Sequence, residues 1–312
     1  MNRVLLIHFG QLGDSVMALP AALALRAHFA QAELTVLASR GGHEIFRMAG
    51  FDDIWMADRV RWKARRTAAL PEIVGLVAKV RRRHFDLSVD LHSFHETNLL
   101  AWAGGVKKRV AMLRPTRSLP RLITHQPPAD DPDARLVDRY CRVLEPLGIE
   151  VKDRTPRLFP QAPVSEFAAW AKDEPVLGVC PGAGNAGRRW PAGRFAELVR
   201  ERREPVAVFA GPEEDEATLA RFAGMPAVRI WRGLAIAELA AALARCRVVV
   251  TNATGPSHIA AAVGASVLTL GEIPAFDPVA VAPGRVVAVR AERVVGDITI
   301  ERVREALADL WT

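Results

Sequence analysis

The chain has 312 residues, of which half are hydrophobic and a quarter are charged, and its formal net charge is +7. This length suits two domains of about 150 residues, and the apolar content is enough for packed cores, which excludes a disordered chain. Its longest apolar runs fall short of the roughly 20 residues that a membrane-spanning helix needs, and its three scattered cysteines, without a CxxC pair, predict a cytoplasmic protein without a cysteine metal site.

The first half of the sequence alternates β-rich and helical segments. We expect residues 4–8 to form a first strand rather than a cleaved signal, because glycines and an aspartate follow at once. Helical spacing follows at residues 15–29, then a second strand at 34–38 and a further strand that ends near Asp90. Strands that alternate with helices in this way are typical of an α/β fold with parallel sheets.

The same pattern restarts after a proline-marked break at residues 160–163. It predicts strands at residues 176–180, 206–210, 228–231 and 248–251 and helices at 194–203, 236–244, 257–263 and 300–310. Two such series indicate two Rossmann-like domains, 1–158 and 159–312, whose parallel sheets face one another across a cleft. Ligands of open parallel sheets bind outside the carboxyl ends of the strands, so site residues are expected in the loops after strands.

The loop after the first strand, residues 10–15, contains two glycines and Asp14. The glycines permit a tight turn and a close backbone approach to a ligand. Asp14 lies at or near a helix start, where a carboxylate can cap the helix or, as a general base, can accept the proton of an attacking hydroxyl group. The spacing leaves both interpretations open.

Two loops of the second half have the composition of anion sites. Residues 180–191 are mostly small and include Arg188 and Arg189, which either neutralise a diphosphate or are merely solvated. Residues 251–258 lead from a buried strand into a helix whose first N–H groups attract anions, although an ordinary capped helix start has a similar composition. Thr254, Ser257 and His258 can add donors there.

The basic excess is confined to the first half of the chain. Residues 1–160 hold 25 Lys/Arg and 17 Asp/Glu, which gives +8 and leaves −1 for the rest. One basic group consists of Arg59, Arg61, Lys63, Arg65 and Arg66, and it is either a solvated helix face or a surface for an anionic partner. Nucleic acid is a poorer candidate, because the aromatic and basic pattern of a single-strand platform is missing.

In this order, the three loops resemble glycosyltransferase family 9, the lipopolysaccharide heptosyltransferases. The start RVLLIHFGQLGD, the segment PGA followed by RRWP, and the segment TGPSHIAAA are similar to that family's motifs. The resemblance implies a GT-B fold and an inverting transfer of heptose from ADP-heptose, without a cofactor or a metal, to an anionic acceptor such as the lipopolysaccharide inner core. It also implies that domain 1–158 binds the acceptor and domain 159–312 the nucleotide sugar.

The same resemblance implies roles for individual residues. Asp14 matches the proposed catalytic base. The donor-binding positions are Gly13, Ala183, Gly184, Arg188, Asp215, Thr254, Gly255, Pro256, Ser257 and His258, with Asp215 on the ribose. Arg61, Lys63, Arg65 and Arg66 match the region that meets an anionic glycolipid or phosphorylated sugar acceptor. We expect such a protein to lie peripherally on the anionic inner face of the cytoplasmic membrane.

One departure from the family pattern keeps other functions open. Ala253 stands where the family has an acidic residue, so a carboxylate of the usual donor site is absent. The chain could use another nucleotide sugar, glycosylate a protein or a secondary metabolite, or be a catalytically silent homologue that binds nucleotide or membrane. A dinucleotide-dependent oxidoreductase is disfavoured, because the sequence has no GxGxxG segment with its downstream acid.

Overall fold

The computed structural model describes residues 1–64, 68–211, 214–272 and 283–312, and of Lys63 and Glu272 the backbone alone. The chain divides into two compact units, Met1–Pro156 and Arg157–Thr312. The predicted boundary after residue 158 lies close to this division.

The first domain is a parallel sheet with helices on both faces. Its strands are β1 (Arg3–His8), β2 (Glu33–Ala38), β3 (Ile54–Met56), β4 (Leu87–Asp90) and β5 (Lys108–Ala111). Its helices are α1 (Leu12–Met17), α2 (Leu19–His28), α3 (Arg40–Met48), α4 (Arg59–Ala64), α5 (Leu70–Arg83), α6 (His95–Ala103) and α7 (Leu136–Arg142). The strands are ordered β3-β2-β1-β4-β5, and all pairs are parallel.

The second domain repeats this architecture. Its strands are β6 (Val176–Cys180), β7 (Val206–Ala210), β8 (Val228–Arg232), β9 (Cys246–Asn252), β10 (Ser266–Glu272) and β11 (Val286–Ala291). Its helices are α8 (Ser165–Ala171), α9 (Ala192–Val199), α10 (Glu216–Ala220), α11 (Ile236–Leu243), α12 (Gly255–Ala262) and α13 (Ile300–Trp311). The strands are ordered β11-β10-β9-β6-β7-β8, again with parallel pairs throughout.

The predicted fold class, an α/β chain with two parallel-sheet domains, is confirmed. The central strands are buried on both faces, as expected where helices cover a parallel sheet on each side; β6 and β7, for example, are buried along their whole length. The prediction of a single helix at residues 15–29 is wrong, because the structure has two helices in this region, α1 and α2. Pro20 occupies the first turn of α2, where its missing N–H does no harm.

Candidate functional site

Both sheets have a topological switch point, and the predicted loops follow the strands that form it. In the first sheet the switch lies between β1 and β4, from which the chain proceeds to opposite edges. In the second sheet it lies between β6 and β9. Because the crevice outside the carboxyl ends of two such strands is where open α/β sheets bind ligands, each domain presents one candidate site at that edge.

Asp14 is the third residue of α1, and Gln11 is the N-cap residue of that helix. The Gln11 N–H donates to Asp14 Oδ2 over 3.0 Å, and Oδ1 has no donor among the described residues. Burial raises the pKa of Asp14 above its ordinary range, against the opposing effects of the Gln11 N–H and of the Arg114 charge. A half-buried carboxylate of this kind stabilises the helix start and can also accept a proton.

The loop that carries Asp14 packs closely against the end of β1. A Cβ atom at Gly10 would lie 2.5 Å from Asp14 Cβ and 2.5 Å from His8 Cε1, so a side chain there would displace one of them. The Gly10 carbonyl accepts a hydrogen bond from Ser39 Oγ over 2.8 Å. Gly13, in the first turn of α1, is buried. The two glycines therefore serve close packing around the carboxylate.

A chain of buried polar side chains lies beside this loop. Tyr140 OH is 3.4 Å from His8 Nε2 and 3.3 Å from His92 Nδ1, and His8 Nδ1 is 3.4 Å from Ser15 Oγ. Burial, with a smaller contribution from the Arg114 charge, lowers the pKa of His8 to about 3. Burial also lowers the pKa of His92 and raises that of Tyr140. All three groups are therefore neutral near pH 7, and their hydrogen bonds join β1, β4 and α7.

Three arginines surround the carboxyl end of β4. The Arg59 guanidinium lies 3.4 Å from the centroid of the Phe94 ring, and that of Arg117 lies 6.0 Å from it. Arg114 follows β5, and its side chain is 12% exposed. The charges of Arg114, Arg117 and Arg59 add to the lowering of the His92 pKa. This edge of the first sheet therefore carries basic side chains next to Asp14, of which Arg59 lies 3.4 Å from Glu96 and Arg114 lies 3.8 Å from Asp130. The sequence analysis had selected Arg59 but not Arg114 and Arg117.

Of the four predicted acceptor residues, the side chain of one, Arg61, is among those that the structure describes. Arg61 is exposed and lies 3.7 Å from Glu72. The side chain of Lys63, and Arg65 and Arg66 entirely, lie outside the described residues. Their role stays a prediction.

In the second domain, Asn252 holds the two predicted loops together. Its Nδ2 donates to the Pro181 carbonyl over 2.7 Å and to the Gly182 carbonyl over 3.3 Å. Its Oδ1 accepts the Trp190 N–H over 2.9 Å. Because Asn252 ends β9 and Pro181 follows β6, one side chain fixes the loops on both sides of the switch point. The sequence analysis had not assigned it a role.

Within the loop after β6, Ala183 is buried, whereas Gly184 and Arg188 are exposed. Arg188 ends a short 3₁₀ turn, Ala186–Arg188. The Arg189 Nε donates to the Ala183 carbonyl over 2.8 Å and so fixes the loop from inside. The two arginines therefore differ in kind, because Arg189 is structural and Arg188 is available to a ligand.

The start of α12 is well ordered by its own hydroxyl groups. Thr254 Oγ1 donates to the Asn252 carbonyl over 3.3 Å, and Ser257 Oγ donates to the Thr254 carbonyl over 2.6 Å. These protons are thus used within the loop in this structure, and the predicted role of the two hydroxyl groups toward an anion stays a prediction. Of the first residues of α12, Pro256 has no N–H and the Ser257 N–H donates to the Thr254 carbonyl over 3.1 Å, so among the described residues the Gly255 N–H is the one that remains for a ligand in this first turn. Gly255 and Pro256 occupy this first turn and are half-buried.

His258 is buried in the same turn, with 4% of its surface exposed. Burial lowers its pKa to about 4. It is therefore neutral near pH 7 and contributes no positive charge to the loop, although one ring nitrogen still carries a proton.

Two neighbouring acids after β7 are placed very differently. Asp215 is exposed and caps α10, since its Oδ1 accepts the Thr218 N–H over 2.6 Å. Glu214 instead turns toward the loop after β6, because a Cβ atom at Gly182 would lie 1.5 Å from Glu214 Oε1. Glu214 Oε2 is buried and has no hydrogen-bond partner among the described residues. Glu214 is therefore the acid that the structure brings to the candidate site.

The buried imidazoles predict that the chain is less stable in acid. In the folded chain the pKa is about 3 for His8 and about 4 for His258, whereas an ordinary histidine has a pKa of 6.5. At pH values between these limits, the unfolded chain therefore binds more protons than the folded chain. Stability should thus rise with pH across this window. Asp90 and Asp14 have the opposite sign, because burial raises the pKa of Asp90 to about 6 and also raises that of Asp14. The lowered pKa values of His8, His92 and His258 outweigh these two carboxyl groups.

We expect the free energy of unfolding to increase by on the order of 3 kcal/mol between pH 4.5 and 6.5. Urea unfolding at several pH values measures this slope. His8→Asn should flatten it, and the exposed His28→Gln should leave it unchanged. A wild-type stability that is flat or falling across the window would contradict the neutral state of these histidines.

The described ranges hold neither a metal-binding cluster nor a membrane-spanning helix. They contain no group of three or more His, Cys, Asp or Glu side chains arranged to hold a metal ion. Nor does any helix within them have the length and apolar character needed to cross a membrane. The three cysteines are buried and free.

Two Rossmann-like domains, each with a candidate site at a switch point, are the architecture of the GT-B class of protein. Solved structures of the same fold include a family 9 glycosyltransferase from Veillonella parvula, with a TM-score of 0.80, 21% identity, and 99% and 97% of the two chains covered. They also include the E. coli ADP-heptose lipopolysaccharide heptosyltransferase II, with a TM-score of 0.79, 22% identity, and 100% and 98% covered.

The sequence comparison is more specific than the fold. The model of glycosyltransferase family 9 (heptosyltransferase) matches residues 73–272, and the chain belongs to this family. Lipopolysaccharide heptosyltransferase 2 of Salmonella typhimurium is 29% identical over a match that covers 43% of this chain and 45% of that protein. The match therefore spans less than half the length of that curated relative.

Proposed function

We propose that the chain is an inverting glycosyltransferase that transfers heptose from ADP-heptose to an anionic acceptor such as the lipopolysaccharide inner core. One observation carries the proposal: a half-buried carboxylate, that of Asp14, with a raised pKa and one oxygen without a donor, follows β1 at the switch point. Family membership supports the reaction class, and the names of the relatives support heptose and ADP-heptose.

In the proposed reaction, an acceptor hydroxyl oxygen attacks the anomeric carbon of the donor sugar. The new carbon–oxygen bond forms on one face while the bond to the diphosphate oxygen breaks on the other, so the anomeric configuration inverts. The hydroxyl proton passes to Asp14, and ADP leaves with the electron pair of the broken bond. Asp14 must be ionised beforehand, so we expect activity to fall in acid with a midpoint above the ordinary range of an aspartate.

The second domain would hold the donor. The exposed Arg188 supplies a cation for the leaving diphosphate, and the Gly255 N–H at the start of α12 supplies a neutral donor. Ala183 and Gly184 allow the diphosphate to approach the backbone of the loop after β6, which Asn252 holds in place. With His258 neutral, the charge of ADP is balanced mainly by Arg188.

We propose that Glu214 rather than Asp215 binds the ribose of ADP. A charged hydrogen bond to a hydroxyl contributes about 1.5–3 kcal/mol, so Glu214→Gln should weaken ADP binding about tenfold or more. Asp215→Ala removes a helix cap and should lower stability by about 1 kcal/mol without a change in ADP affinity. Calorimetry with ADP on both variants measures this. A loss of affinity in Asp215→Ala alone would restore the assignment made from the sequence.

The first domain would receive the acceptor. Arg59, Arg114 and Arg117 place basic side chains at the end of its sheet, and Arg61, Lys63, Arg65 and Arg66 extend this charge in sequence. Anionic sugars and lipid phosphates are the partners that such a surface favours. We propose that an acceptor of this kind is met at the anionic cytoplasmic surface of a membrane, on which the protein lies peripherally.

We propose further that transfer needs no metal, because Arg188 and backbone N–H groups can stabilise the leaving diphosphate by themselves. An excess of EDTA should therefore leave the initial rate unchanged, and added Mg²⁺ should not raise it. Steady-state rates with and without chelator measure this. A rate that collapses with EDTA and returns with Mg²⁺ would assign the diphosphate to a bound cation instead.

A second candidate function is transfer from another nucleotide sugar, and Ala253 favours it, because it removes an acidic side chain from the start of the loop before α12. A panel of ADP-, UDP- and GDP-sugars, each with a lipopolysaccharide core acceptor, separates the two. The proposal expects product with ADP-heptose alone or by far the fastest. A faster reaction with another donor would replace ADP-heptose, and donor binding without product would indicate a catalytically silent homologue.

A further inference from the structure

Large apolar side chains are exposed mainly on one part of the first domain. In the described residues, nine such side chains are exposed, and six lie between residues 56 and 102. Four of the six belong to α5 and α6: Leu70 is 59% exposed, Val74 58%, Leu99 49% and Trp102 53%. We refer to these four as the α5–α6 face. Isolated exposed apolar residues are ordinary, but a group on adjacent elements indicates an interaction surface.

The two helices lie side by side on one face of the first sheet. Val80 of α5 and Leu100 of α6 belong to the same hydrophobic core cluster. A Cβ atom at Gly104, which caps α6, would lie 2.4 Å from Val80 Cγ1, so the carboxyl ends of both helices meet there. Val74 precedes Val80 by six residues, and Leu99 precedes Gly104 by five. Because each residue of a helix advances by about 1.5 Å, Val74 and Leu99 lie at similar distances from this contact along their helices.

Helical spacing sets this face apart from the core side of the same helices. In α5, the core side carries Ile73, Leu76, Val77 and Val80. Leu70, Val74 and Arg81 are separated by four and seven residues, so they form a stripe on a different side of the helix. Arg81 and Arg82 are exposed. The stripe is thus apolar toward the start of α5 and basic toward its end.

The helices of this face carry a net positive charge, which lies toward the end of α5. Helix α5 contains four Lys/Arg and one Asp/Glu, and α6 contains one Asp/Glu, which gives +2. A second copy of the chain would bring the same positive charge to the same place, so like-charge repulsion disfavours self-association there. Apolar side chains with basic neighbours are the composition by which peripheral helices bind the headgroup region of an anionic bilayer.

We propose that the α5–α6 face docks the protein on an anionic lipid bilayer, with Leu70, Val74, Leu99 and Trp102 in the headgroup region and Arg81 and Arg82 on lipid phosphates. This docking proposal depends on the proposed function in one respect, namely that the acceptor is carried by a membrane. It assigns the contact to a surface that includes none of the residues proposed for the reaction. Docking by this face would hold the first domain against the bilayer.

The test is vesicle flotation with phosphatidylcholine vesicles that contain or lack anionic phosphatidylglycerol. The wild-type chain should float with the anionic vesicles and should be released by high salt. Val74→Glu/Trp102→Glu places two carboxylates on the face and should weaken binding about tenfold or more. The matched control is Phe159→Glu, which alters a 64% exposed apolar residue of the second domain and should bind as the wild type does.

Separate measurements distinguish this proposal from the proposed function. The double variant should keep its circular dichroism spectrum, its ADP affinity and its transfer rate to a water-soluble core oligosaccharide. Flotation of the double variant equal to wild type, or no flotation of the wild type, would overturn the docking proposal and leave the reaction untouched. A double variant that becomes monomeric from a dimeric wild type would assign the face to a second copy.

Discussion

Replacement of Asp14 by asparagine is expected to lower kcat by about a thousandfold and to leave ADP affinity unchanged. A positioned general base contributes about 10²–10⁴ to a rate, and the amide of asparagine cannot take the proton. The fold should tolerate the change, because the side-chain oxygen of asparagine can still accept the Gln11 N–H that Asp14 Oδ2 accepts over 3.0 Å. Steady-state kinetics with ADP-heptose and calorimetry with ADP measure the two effects.

The matched control is Asp52→Asn, which changes an exposed aspartate of the same domain and should retain the wild-type rate. Circular dichroism checks that both variants are folded. Full turnover by Asp14→Asn would remove Asp14 from the mechanism. An equal loss of ADP affinity and rate would make Asp14 a donor-binding residue instead.

Replacement of Arg188 by alanine should produce the largest change in nucleotide binding. Charge-assisted hydrogen bonds to phosphate contribute about 1.5–3 kcal/mol, and with His258 neutral Arg188 is the main cation proposed for the diphosphate. We expect ADP affinity to fall about tenfold to a hundredfold, as measured by calorimetry. The ADP affinity of Arg188→Lys should lie between those of the wild type and Arg188→Ala, since lysine keeps the charge but lacks the two parallel N–H donors of the guanidinium.

The control for this prediction is Arg200→Ala, which removes another exposed arginine of the second domain. The Arg200→Ala variant should bind ADP almost as tightly as the wild type, with only the small loss that a lower net positive charge causes. Unchanged ADP affinity in Arg188→Ala would show that the diphosphate lies elsewhere. The salt dependence of ADP binding gives a second measurement, because binding by Arg188→Ala, which lacks an ionic contact, should depend less on salt than binding by the wild type.

Local patterns in the sequence were sufficient to predict the architecture. Strands at 176–180 and 206–210 coincide with β6 and β7, because a strand that is buried on both faces is a continuous apolar run. The loops after β1, β6 and β9 were identified because glycines and polar residues interrupt such runs. The helix at 15–29 was placed but not divided, since an apolar pattern continues across Pro20 while the hydrogen bonding does not.

The contacts within the candidate site were harder to predict. His8 was visible as a polar residue at the end of an apolar strand, but its partner Tyr140 is 132 residues away. Asn252 bonds to residues about 70 positions earlier. The choice between Glu214 and Asp215 depends on the backbone, which directs one side chain toward Gly182 and the other into a helix cap. Such contacts arise from tertiary structure and leave no periodic signal.

The most direct test of the central claim, single displacement with Asp14 as the base, is the configuration of the product. The purified chain is incubated with ADP-heptose and a truncated lipopolysaccharide core acceptor, and the product is analysed by mass spectrometry and by NMR of the new anomeric centre. The account predicts an acceptor heavier by one heptose, with an anomeric configuration opposite to that of the donor. A product with retained configuration, or an acceptor left unmodified while ADP-heptose is bound, would contradict it.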